Sequence, residues 1–165
     1  MNKTVLEYFT AEQNESLLFL FVALFATAVS IYFLFQVKTD FTRGISYSLL
    51  AIASIQFVVC FTVYFRSPMD ITRVQNYLDS EPAKISEVEI PRMKTVMKSF
   101  VLYRYIEIFC AIVGLGLFFY FPNGSVLKGI GLGLFVQAVL MLGFDFFAER
   151  RGKEYLEFLL GLKIS

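Results

Sequence analysis

The 165-residue chain contains no histidine, and that excludes several chemistries at once. Imidazole metal ligation, haem held by histidine and histidine general-base catalysis all need a side chain that is missing. Tryptophan is also missing, while Phe (20) and Tyr (9) are abundant, so Tyr is left to act as the interfacial anchor that Trp often provides. The two cysteines, Cys60 and Cys110, lie inside apolar runs and have no CxxC spacing. They read as packed thiols rather than a disulfide or a redox pair. The polar start MNKTVLEYFTAEQNES lacks an apolar h-region, so no cleaved signal peptide is expected. The net charge of +1 gives no bulk basic character, and no nucleic-acid partner is expected.

Apolar residues fill 57% of the chain, above the ~45–50% of an average soluble domain. The excess is gathered into four blocks, at about 17–37, 45–65, 101–121 and 125–144. Each is near the ~20 residues that a helix needs to cross a ~30 Å hydrocarbon core. The expected fold is therefore an all-α integral membrane protein, residues 1–165 forming one membrane domain of four transmembrane helices. Pro122-Asn123-Gly124-Ser125 is a turn signal, and 37–44 is similarly short, so the spans pair as two antiparallel hairpins.

Lysine and arginine set the orientation. One side carries Lys3, Arg66, Arg73, Lys84, Arg92, Lys94, Lys98, Arg150, Arg151, Lys153 and Lys163, and the other only Lys38, Arg43 and Lys128. Both termini are expected on the cytoplasmic side of a plasma or inner membrane. A cytoplasmic loop over 66–98 and a tail over 145–165 follow. In the loop, Ser67-Pro68-Met69-Asp70 reads as a helix start, with Ile71, Val74 and Leu78 as one apolar stripe. Tyr155, Leu156, Leu159 and Leu160 make a second stripe in the tail. The first predicts a short amphipathic helix at the membrane surface, and the second one lying on, or packed under, the membrane domain. Residues 84–90 read as extended, with Pro91 opening the third helix.

The third run is anomalous. Only 14 uncharged residues separate Glu107 from Pro122, roughly 21 Å of helix. A full span therefore takes Arg104 and Glu107 into it or to its edge, where ionisable groups are functional candidates. Phe100, Tyr103, Arg104, Cys110, Ala111, Gly114 and Phe118 share the face of Glu107, which predicts that Glu107 meets another helix. Two readings stand side by side: an Arg104–Glu107 structural pair, or an ion- or proton-linked carboxylate.

Gly129 and Gly133 form a small-xxx-small seam, continued by Val136, Gln137, Leu140 and Phe144. The third helix is its expected partner, with a subunit interface as the alternative. Gln56 and Gln137 lie at comparable depth and could bond across the bundle. Arg66, Asp145, Glu149, Arg150 and Arg151, with Arg104 and Glu107, predict a charged layer at the cytoplasmic boundary. That layer reads as a solvated rim, or else as a lipid-phosphate pocket of Arg66, Arg104 and Arg150.

No span carries a positive charge at every third position, as a voltage sensor needs. The expected activity is non-enzymatic: a homo-oligomeric channel or carrier, or a scaffold for a membrane-protein partner, with membrane lipids around it and no cofactor. The alternative is a lipid- or isoprenoid-handling enzyme, which would need a carboxylate pair such as Glu107 with Asp145 and a divalent metal on oxygen ligands.

Overall fold

The computed structural model describes residues 2–162; Lys163, counted above for orientation, lies outside them. The described residues are all-helical, with no strand among them. Four long helices follow in order: α1 (Lys3–Tyr32), α2 (Asp40–Ser80), α3 (Ile90–Tyr120) and α4 (Val126–Leu162). Each contains a stretch long and apolar enough to cross a membrane, consistent with a multi-pass membrane protein. The 41 residues of α2 make about 60 Å of helix, twice a ~30 Å hydrocarbon core.

Local signals explain the ends. Asn2 caps α1 through the N–H groups of Thr4 and Val5. A π turn (Phe33–Val37) closes on Lys38, a non-glycine residue in the left-handed region with φ 56°, whose N–H reaches the Phe33 carbonyl at 2.9 Å. Thr39 then caps α2. Between α3 and α4, Gly124 takes φ +84°, as the turn signal requires.

α1 packs along α2, α2 along α4, and α4 along α3. Asn2 N–H reaches Gln75 Oε1 (2.7 Å), Gln13 Nε2 reaches the Tyr64 carbonyl (3.4 Å), and Ser46 Oγ reaches the Ser30 carbonyl (3.1 Å).

The expected surface helices are corrected. Residues 67–80 continue α2 without a break, and 145–162 continue α4. Pro68 sits in the helix interior, where it supplies no N–H to the Tyr64 carbonyl. Gln13 of α1 takes up that carbonyl instead, and Ser67 Oγ donates to the Val63 carbonyl at 2.8 Å. The stretch expected to be extended holds a π turn, Ile85–Glu89, running directly into α3. The 66–98 loop therefore shrinks to residues 81–84, around Pro82.

The apolar stripes of the expected surface helices face each other rather than a membrane. Val74, Ile85, Ile90, Met93, Tyr155 and Leu159 close on Val5, Tyr8 and Phe9 as one buried core. Tyr8 and Tyr155 stack with ring centroids 4.2 Å apart, and Phe9 meets both edge-on. This end of the bundle, the head, packs like a water-soluble core. The apolar stretches differ: in the most apolar window of each helix no more than 22% of residues are buried.

There glycines let the helices approach closely. A Cβ on Gly129 would overlap the Phe41 carbonyl, and one on Gly133 would overlap Ser48 Oγ. The Gly129/Gly133 seam thus belongs to α2, not to the expected α3, and is filled within the chain. The face carrying Gly131, two residues along, serves α3: a Cβ on Gly114 would lie 2.8 Å from the Gly131 carbonyl oxygen.

Candidate functional site

Two sets of charged and polar side chains meet inside the bundle. The first is in the head and is closely paired. Arg66 of α2 bridges Glu12 of α1 (3.2 Å) and Asp70 (3.0 Å), and Arg73 bridges Asp70 (2.7 Å) and Glu89 (3.5 Å). Arg92 grips Glu89 with two nitrogens, at 2.6 and 3.0 Å, and lies over the Phe9 ring. The Tyr155 hydroxyl donates to Glu89 at 3.2 Å. Glu89 is 0% exposed and Asp70 1%. A separate pair, Arg151–Glu15, ties α4 to α1. Burial pushes the Tyr8 and Tyr155 hydroxyls up from the usual phenol range. The sequence places Asp70 in a helix start, Arg73 and Arg92 among the orienting charges and Tyr155 in an apolar stripe, but marks none of these, nor Glu12, Glu15 or Glu89, as a site residue. The signals were present as Arg66-x3-Asp70-x2-Arg73 and Glu89-x2-Arg92, the i,i+3 and i,i+4 spacings that put charges side by side.

Burial also pushes the Glu12 carboxyl above the usual carboxylate range, against the pull of Arg66 and Arg92. Folded Glu12 therefore holds its proton to higher pH than the unfolded chain does. Its contribution to stability is full at low pH and is lost as pH rises through its folded value. The melting temperature of Glu12→Gln should accordingly gain on that of the native protein as pH rises above about 4. A gap that closes with rising pH would contradict this assignment.

The second set lies in the apolar stretches and is unpaired. Glu107 of α3 is 6% exposed, and neither carboxylate oxygen has a hydrogen-bond donor. The Arg104–Glu107 pair expected from spacing does not form: Arg104 binds Glu149 of α4, which also holds Lys153 at 2.7 Å. A partner on the facing helix wins because α3 and α4 touch along their length, whereas Glu107 is turned toward the α4 face around Asp145. Asp145, an acceptor like Glu107, stands within hydrogen-bonding reach of it. Gln56 and Gln137 are 4% and 1% exposed, and neither polar atom of Gln137 has a partner. They do not bond each other.

The charged layer is therefore divided. Arg66 belongs to the head network, Arg104 to Glu149, Arg151 to Glu15, and Arg150 to the exposed Glu154 at 3.2 Å. Arg66, Arg104 and Arg150 are each engaged by a carboxylate. Among the described residues, no group of three His, Cys, Asp or Glu side chains is placed to hold a metal ion.

An unpartnered buried amide costs about 1–3 kcal/mol against a satisfied or apolar one. Gln137→Leu, nearly the same in volume, should therefore raise stability by about 1 kcal/mol in detergent unfolding. A loss of stability would mean that Gln137 has a bonding role.

No protein-family model, curated protein or solved structure matches the chain.

Proposed function

We propose that the four apolar helices cross a bilayer as two antiparallel hairpins, α1–α2 and α3–α4, and that copies assemble into a carrier or channel for a proton or small cation. The head and both termini lie on the cytoplasmic side. The positive residues gathered at that end support the orientation. The largely unburied apolar windows support a surface shared between lipid and further copies.

The observation that carries the reading is Glu107. A carboxylate in an apolar layer needs a countercharge, and its sequence neighbour Arg104 is spent on Glu149. Nothing structural is gained from leaving it unpaired, so a mobile charge is the partner left to it. The unpartnered Gln56 and Gln137 add polar atoms to the same apolar region. The lipid-enzyme alternative loses support from the engagement of Arg66, Arg104 and Arg150 by acids.

A scaffold reading is favoured by one feature, the head, whose aromatic core and paired charges make a rigid platform outside the spans. Vesicles reconstituted with the protein separate the two. A carrier should collapse an imposed proton or sodium gradient, and Glu107→Gln should return the rate to that of protein-free vesicles. A scaffold would leave the gradient standing in both. Tags at either terminus should stay hidden from protease in sealed right-side-out vesicles, and an exposed tag would overturn the orientation.

A further inference from the structure

We propose that Glu107 and Asp145 form a proton-sharing carboxyl pair, one acid donating to the other's carboxylate across the α3–α4 contact.

Glu107 is more than nine-tenths buried and has no donor for either oxygen. Arg104 meets Glu149 across the antiparallel α3–α4 contact, and about one turn further along each helix Glu107 falls opposite Asp145, which also has only acceptors when ionised. Two ionised carboxylates at that separation in an apolar setting repel, with no water to screen them. One proton removes both difficulties. It makes one acid a donor, gives the other a hydrogen bond, and leaves the pair with a single negative charge.

The surroundings fit a single remaining charge. Arg104 on α3 is close enough to attract both acids, although its own salt bridge goes to Glu149. Glu15 of α1 adds negative potential at Asp145, which disfavours a second ionisation further, and Glu15 is itself bridged to Arg151. A metal ion fits less well. Hard cations such as calcium take six or more oxygen ligands, and among the described residues no third acidic side chain is placed to hold an ion with these two. The pair also sits between an apolar stretch and the paired charges of Glu149 and Lys153, the place where a proton would pass from the head into the bundle.

The proposal rests on the transport reading for its purpose but not for its test. Infrared spectroscopy of the full-length protein in detergent at neutral pH reads a protonated carboxyl directly, as a carbonyl stretch above the amide band that shifts on deuteration. In a Glu12→Gln background, which removes the raised carboxyl of the head, the protein should show one such band. Glu107→Gln and Asp145→Asn should each lose it, and Glu107→Asp should restore it in part. No protonated carboxyl in that background at neutral pH would overturn the pair, as would a band that survives both neutral substitutions. If a variant of the pair does not fold, the spectrum of that background still decides. The band without gradient collapse would leave the proton site standing and remove the carrier reading. Gradient collapse without the band would do the reverse.

Discussion

Glu89→Ala should destabilise the protein by about 3–5 kcal/mol, the range for breaking a buried ion pair from one side. Glu89 is fully buried and receives Arg92 through two nitrogens, Arg73 through one, and the Tyr155 hydroxyl. Removing it leaves two guanidinium groups and a hydroxyl facing a cavity, beside rings that cannot solvate them. Glu89→Gln should cost less, because an amide still accepts from Arg92 and Tyr155. The exposed Arg150–Glu154 pair is the control: Glu154→Ala should shift the unfolding midpoint barely or not at all. Denaturant or thermal unfolding in detergent would compare the three. A Glu89→Ala midpoint within error of the native one would mean that water reaches the site and that the head is not the closed core described above.

The second large effect is expected at the α2–α4 seam. Gly129→Leu should cost at least about 3 kcal/mol, at or beyond the upper end of ordinary overpacking. The first added carbon would fall on the Phe41 carbonyl, a backbone atom that cannot swing aside, and the rest of the side chain would force the helices apart. Gly143, on the same helix, offers the contrast. A Cβ there meets nothing within 4 Å, so Gly143→Ala should be neutral or gain up to ~1 kcal/mol from helix propensity. Equal costs at the two glycines would show that the α2–α4 contact is not the close approach drawn from their surroundings.

Much of the helical plan is legible in the residues, and what is missed has definite causes. The four apolar stretches stand out because charges vanish over them, and Asn123-Gly124 marks its turn with a residue suited to positive φ. The continuity of α2 is not legible. Pro68 after Ser67 carries every local sign of a helix start, and what overrides it is a carbonyl bond from Gln13, on another helix. The head core hid for the opposite reason. Val5, Tyr8 and Phe9 form an i, i+3, i+4 stripe in a segment that reads as polar overall, and that spacing could have revealed it.

At the candidate site, the residue types and their faces could be read, but not the partners. Glu107 was placed on a helix-contacting face with Gly114, and it lies on one. Its expected mate Arg104 pairs instead with Glu149, because a facing helix offers a carboxylate at closer quarters than an i,i+3 neighbour does. The glycine seam was visible as a seam, while its occupant, α2 rather than α3, depends on a tertiary arrangement that spacing does not encode.

The central claim is that Glu107 is retained for a mobile charge and not for stability. The most direct measurement replaces Glu107 with Leu and reads unfolding stability and gradient collapse on one preparation. Glu107→Leu removes a buried acid at the expense of the one hydrogen bond it shares with Asp145, so the account predicts stability near the native value, with gradient collapse abolished. A drop of several kcal/mol with no change in any flux would contradict it and make Glu107 a structural residue.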